Sequence, residues 1–259
     1  MSNYWAERTA KTQAALTEKS LKKIQGQLSR YYGIAAKQVI GDFEATYDKV
    51  MAQQAEGKPV SPADLYKLDK YWQAQGQMRQ ELQKLGEKQI SLLTKHFEIN
   101  FFEIYYSIDI EGLNTFNTVD KAGALQLINS IWCVDGKSFS QRVWDNTEKL
   151  VETLNEELIH CVATGKKTTD LKNILQERFG VSYNNADMIA RTELAHVQTE
   201  AAKRRYEDYG LSEVEIWADP DERTCEICGK LHQKKYPIGA HVPIPAHPRC
   251  RCCIVPVIN

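Results

Sequence analysis

Proline is nearly missing from most of this chain: only Pro59 and Pro62 precede Pro220, and the other six of the eight lie at Pro220 or beyond. A proline ring inside a helix removes a hydrogen bond and clashes with the preceding turn, so long helices are permitted upstream and excluded downstream. Net charge is missing too. Thirty-three Lys+Arg against 34 Asp+Glu leave -1, which argues against a protein that coats polyanions and makes every electrostatic feature local. No stretch approaches the roughly 18 apolar residues of a membrane span. The first thirty residues are charged throughout, from Glu7 and Arg8 to Lys22 and Lys23, so no signal-peptide core is present and the expectation is a soluble chain made in a cytoplasm. Internal repeats, low-complexity tracts, H-E-x-x-H and H-x-E…P-C-x-x-C arrangements are all absent. What remains is 259 residues at 42% hydrophobic and 26% charged, enough for one large or two ordinary packed domains.

The upstream two-thirds reads as helix. Leu21, Ile24, Leu28 and Tyr31 recur at three and four residues, as do Val39, Phe43, Tyr47 and Val50. Glu56 to Pro59 breaks the pattern, and Ser61-Pro62 has the form of an N-cap followed by proline at the first helical position. Leu65, Leu68, Trp72, Leu82 and Leu85 then mark a long amphipathic helix towards residue 95. The apolar segment Phe97 to Ile110 suits either a buried helix or a strand. Further helices are expected from Lys121 to Trp132, from Ser138 or Ser140 to Gly165, from Thr169 to Gly180, and from Ser182 to Gly210. Beyond Gly210 the alternation of Val214, Ile216 and Ala218 with charged or aromatic neighbours predicts a short strand. The fold class is mainly α: a helical N-terminal region, 1–118, then a helical C-terminal domain, 119–259, that ends in a small β/loop Cys-His-rich lobe from about residue 211.

Cysteine placement carries the chemistry. Of seven cysteines, Cys133 and Cys161 stand alone on apolar stretches and read as small buried thiols. The other five are Cys225, Cys228, Cys250, Cys252 and Cys253. Cys225-x-x-Cys228 places two thiols on one tight turn, and His247-Pro-Arg-Cys250-Arg-Cys252 follows downstream. Zinc takes four N/S ligands in a tetrahedron, so Cys225, Cys228, Cys250 and either Cys252 or His247 are the candidate set for a structural zinc. Disulfides that staple the tail are the competing reading, and unliganded thiols a third. A catalytic zinc would also need an open position and a general base, and the sequence offers neither motif.

The tail is locally basic: Arg223, Lys230, Lys234, Lys235, Arg249 and Arg251 stand against Glu226 alone, a formal +5 between residues 223 and 253. Arg223, Lys234, Lys235, Arg249 and Arg251 are therefore candidates for phosphate contacts, although a solvated basic surface is the default reading. The N-terminal 37 residues carry seven Lys/Arg against Glu7 and Glu18, which suits a packed helix with a wet face or a partner-docking helix.

The ordered series Ala190-Arg191-Thr192-Glu193, Gly210, Trp217, Asp219-Pro220-Asp221-Glu222-Arg223-Thr224-Cys225-x-x-Cys228 and His247-Pro248-Arg249-Cys250-Arg251-Cys252 resembles the phage Mu F-like minor head proteins, also called phage head morphogenesis proteins. The resemblance covers about residues 120–257. It implies a minor head (capsid) structural protein of a tailed bacteriophage or prophage. Such a protein is built into the procapsid beside the portal protein and the scaffold or major capsid protein, and in some relatives stays with packaged double-stranded DNA and influences ejection. Its place would be the host cytoplasm during assembly and then the interior of the head. Such a role needs no active site.

The motif residues are expected to be structural. Arg191 and Glu193 lie about 200° apart on one helix, so each is expected to hydrogen-bond into the following tail and not to its neighbour. Trp217 reads as a core residue covering the Cys-rich lobe, and Asp221 as part of an acidic turn. His160 and His196 read as satisfied interface histidines. The rivals are a metal-assisted nuclease or toxin-like hydrolase, and a DNA-binding packaging factor without chemistry.

Overall fold

The computed structural model describes residues 2–56, 61–110, 113, 119–218 and 224–258. Among these are α1 (Ser2–Ala55), α2 (Pro62–Tyr66), α3 (Asp69–Ser107), α4 (Lys121–Ile128), α5 (Phe139–Thr164), α6 (Thr168–Asp208), β1 (Glu213–Trp217), α7 (Glu226–Leu231), β2 (Lys235–Pro237) and β3 (Cys253–Pro256). The mainly helical class with a small β/loop lobe at the end is the observed one. No helix among the described residues is long and apolar enough to cross a membrane.

The segment left undecided between helix and strand continues α3. As far as Ser107 it is helix, and Phe97, Asn100, Phe101, Ile104 and Tyr105 are buried there at three- and four-residue spacing. Gly180 was expected to close one helix before another began; instead α6 runs through it for 41 residues. A glycine stops a helix when it takes the left-handed conformation, as Gly165 (φ 61) and Gly210 (φ 72) do. Behind each of these, two backbone bonds close the end: Lys166 and Gly165 donate to Cys161 and Val162, and Leu211 and Gly210 donate to Tyr206 and Glu207. At the other end of the α4 region the helix is shorter than expected. It stops at Ile128, where the Asn129 side chain takes the Leu125 carbonyl at 2.8 Å, and Trp132 lies outside it.

The chain divides into two compact units: residues 1–25, 92–139 and 188–259, and residues 26–91 and 140–187. A sequence boundary at 118/119 falls inside the first, because α1, α3, α5 and α6 each supply residues to both.

In the second unit, Val39, Phe43, Tyr47, Leu82, Leu154, Leu158 and Leu175 are buried, and polar bridges fix their neighbours. Asn146 donates to the Ser182 carbonyl (2.9 Å) and the Tyr32 hydroxyl (3.1 Å). Tyr47 donates to the carbonyls of Cys161 and Lys166 at the end of α5. Gly86 lies under Trp144, and a Cβ there would meet the indole ring at 2.5 Å. Trp72, expected to face inward, is 57% exposed and stacks edgewise on Tyr71.

In the first unit, Leu21, Ile24, Phe97, Phe101 and Leu194 are buried, and Phe97 meets Phe139 edge to face at 5.4 Å. The C-terminal sheet has the order β2-β1-β3, antiparallel throughout, with Val214 opposite Tyr236 and Pro256, and Ile216 opposite Ile254. Val214 and Ile216 are fully buried, as the alternation predicts. The beginning of α1 covers the sheet: Ala6 and Ala10 pack with Cys253, Val255 and Trp217. The buried Gln13 amide donates to the Ile254 carbonyl at 2.9 Å, and the Tyr206 hydroxyl reaches the same oxygen at 3.2 Å.

Candidate metal centre

Two short pieces of the lobe carry the ligand-type side chains. Cys225 is the N-cap of α7, its sulfur accepting the Cys228 N–H at 3.4 Å. Capping therefore does locally what the spacing suggested: it turns the chain so that both sulfurs face one side. The α7–β2 connection is tied to β1, with Gln233 donating to the Ile216 carbonyl (2.8 Å) and Ala218 donating to His232 Nδ1 (3.2 Å). His247 and Cys250 sit in one turn, closed by the Cys250 N–H on the His247 carbonyl at 3.1 Å. Its third residue, Arg249, has φ 64, a left-handed conformation rare outside glycine.

The two halves meet. His247 Nε2 is 3.2 Å from Cys225 Sγ and 3.1 Å from Cys228 Sγ, and the sulfurs of Cys228 and Cys250 are 3.7 Å apart. Two groups with ligand atoms within 4.8 Å of one another result, Cys225/Cys228/His247 and Cys228/Cys250/Cys252, with Cys228 in both. A disulfide needs about 2.05 Å between sulfurs. Two sulfurs each about 2.3 Å from a tetrahedral zinc stand about 3.8 Å apart, so the observed edge has the length of a shared ligand shell. The histidine is already oriented for it. Its Nδ1 is 2.8 Å from the Pro248 carbonyl, which can only accept, so that nitrogen holds the proton and Nε2 keeps its lone pair towards the sulfurs. The donor set thus fits zinc.

The thiols of the cluster shift one another. A hydrogen bond from Cys252, more than any other contact, pulls the Cys250 thiol down to about 5. The same bond and burial drive Cys252 far up, and burial pushes Cys228 up to about 12. Cys225 is lowered, first by the Cys228 amide. A divalent cation bound by these thiols would take the place of their protons. Cys253 points away, into the apolar patch with Ala6 and Val255.

The other expected residues divide. Arg191 and Glu193 each have a partner on or beside the helices. Arg191 donates to Glu18 on α1 at 3.1 Å, and Glu193 accepts from Trp132 Nε1 at 2.8 Å, while Trp132 stacks on His196 at 4.4 Å and 10°. The helix rotates each by its own angle, so consecutive residues serve different elements. Thr192, between them, reaches the tail: its hydroxyl accepts the Arg249 N–H at 3.0 Å. Nothing in a single sequence distinguishes that threonine from a surface one. Trp217 packs against Cys253 and Val255 as expected. Asp221 and Arg223 lie outside the described residues. Lys234 and Lys235 are exposed, at and beside the edge strand β2; Arg249 is exposed in the turn, and Arg251 is half-buried. Cys161 is buried as expected, while Cys133 is only half-buried. His160 is exposed, on the rim of a shallow hollow with Glu157 and Arg178, and not an interface residue of this chain.

A cleft of about 720 Å³ opens beside the cluster, walled by Ala10, Ala14, Leu194, Trp217, Cys250 and Cys252. Its charged rim is internally matched, with Arg191 on Glu18 and Lys11 3.7 Å from Glu7.

Residues 152–255 match the model of a family described as phage Mu protein F like protein, a span that takes in α6, the sheet and every cluster residue. The match supports the resemblance carried by the sequence motifs. Comparison with curated proteins and with solved structures gave no match.

Proposed function

From a C-terminal part that is phage Mu protein F like, we propose that this chain is a minor head protein of a tailed bacteriophage or prophage, acting in head morphogenesis as a rigid assembly part and not as a catalyst. One observation carries the physical side of this reading: five Cys and His side chains from two distant stretches converge inside the matched segment. Zinc held by Cys225, Cys228, His247 and Cys250, with Cys252 against the shell, would lock a lobe whose three strands span only five, three and four residues. A lobe that small cannot bury enough apolar surface to hold itself together, and a structural ion supplies the difference.

The working site is the procapsid, beside the portal protein and in contact with scaffold or major capsid protein, with the mature position inside the head near packaged double-stranded DNA. The helical faces upstream of the lobe supply the contact surface. The test has two parts. Purified protein should hold one equivalent of zinc, with its tail thiols unavailable to a thiol reagent until a chelator is added. Particles assembled with a Cys228→Ser chain should lack the protein while forming normal shells. Metal-dependent turnover of DNA, RNA or NAD by the pure protein, or full incorporation of the Cys228→Ser chain, would overturn the reading.

A further inference from the structure

We propose that Thr192 is a positioning residue for the metal centre: its hydroxyl holds the His247–Cys250 turn in ligating geometry before any ion arrives. The inference rests on the reading that the cluster binds zinc, and it links two parts of the sequence that have no contact in the chain. The turn carries two ligands and contains Arg249 at φ 64, a conformation that an L side chain keeps only where its surroundings enforce it. Within the turn, the Cys250 N–H closes onto the His247 carbonyl. The Arg249 N–H points outward, to Thr192 Oγ1 at 3.0 Å, across 57 residues of sequence.

The direction of that bond is fixed from the helix side. Thr192 donates its own proton to the Met188 carbonyl at 2.7 Å, which leaves the oxygen lone pairs facing the turn. A β-branched side chain on a helix has few rotamers to lose, and α6 is long and well anchored here. Arg191 holds α1 through Glu18, and Glu193 holds Trp132. Three consecutive residues thus fix three elements, and the middle one fixes the metal turn. Partners that orient metal ligands from outside the coordination shell typically change affinity 10- to 100-fold when removed.

The experiment compares Thr192→Val, which keeps the shape and loses the oxygen, with Thr192→Ser, which keeps the oxygen. Zinc affinity is measured by competition with a chromophoric chelator, and the ligand set by the visible spectrum of the cobalt-substituted protein. Thr192→Val is expected to bind about 10- to 100-fold more weakly, with unchanged helical circular dichroism, and Thr192→Ser to recover wild-type affinity to within about threefold. Equal affinity for wild type and Thr192→Val overturns the inference and leaves the zinc reading standing; a wild-type protein that binds no zinc removes the reading itself. Should Thr192→Val fail to fold, hydrogen exchange in metal-free wild type decides. A protected Arg249 amide supports a turn built in advance, and exchange at the free-peptide rate overturns it.

Discussion

The two compact units are held together by different chemistry. In the second, apolar side chains from long helices interlock, and neutral amides and hydroxyls close the gaps: Asn146 between Tyr32 and Ser182, Tyr47 over the end of α5, Asn155 accepting from Tyr71 at 2.9 Å and from Gln75. In the first, helices do the same work until the chain reaches the proline-rich tail. There the strands are short, and five Cys and His side chains lie together beside them. The lesson concerns scale. A helix of 41 residues can bury its stripe against several neighbours; a strand of four must borrow a point of attachment.

The sharpest way to break the comparison is to take the cation away. Cys228→Ser, at the residue common to both ligand groups, should abolish stoichiometric zinc and release amide protection across residues 213–258, while exchange in 140–187 stays as in wild type. Structural zinc in small finger peptides is worth about 10–16 kcal/mol apparent, so a loss of several kcal/mol is expected even in a lobe supported by α1 and α6. Next comes the second unit. Gly86→Ala puts a methyl 2.5 Å from the Trp144 ring. Overpacking costs about 1–3 kcal/mol against a gain of about 1 from helix propensity, so unfolding should show a net loss of up to about 2 kcal/mol with zinc content unchanged.

Smaller again is Tyr47→Phe, which removes a buried hydroxyl bonded to two carbonyls and should cost about 1 kcal/mol. It also carries a pH signature. Burial first, then the charges of Cys161, Asp170 and Asp48, pushes Tyr47 up from 10.0 to about 12. A folded value above the unfolded one means its contribution is whole below the unfolded value of 10.0 and disappears as pH rises to about 12. Denaturant midpoints across that window should therefore fall further in wild type than in Tyr47→Phe. The smallest effect belongs to Glu18→Gln at the partly exposed pair with Arg191, within about 0.5 kcal/mol by chemical denaturation. A larger loss would mean that this ion pair, and not Gln13 and the alanines, seats α1 on the lobe.

Much of this architecture is written in local pattern. Periodicity marks α1, α3 and α5, alternation marks β1, and the C-x-x-C knuckle with His247 and Cys250 marks the cluster, because each depends on spacing over a few residues. What spacing cannot express is partnership at a distance. Gly180 has the residue type of a terminator and the conformation of a helix interior, and only the packing on both sides distinguishes the two. Arg191 and Glu193 are legible as anchors, but the Glu18 of α1 that Arg191 holds and the Trp132 that Glu193 holds are not. Thr192 was invisible, since its role is one lone pair directed at an amide 57 residues away.

The contact between Gln13 and the Ile254 carbonyl spans 241 residues, and the patch of Ala6 and Ala10 on Cys253 and Val255 spans slightly more. A nascent chain emerging from the ribosome cannot close either until its final strand has cleared the exit tunnel. α1 must wait, with its alanine face uncovered, while the residues between are synthesised, and β3 is the element that seats it.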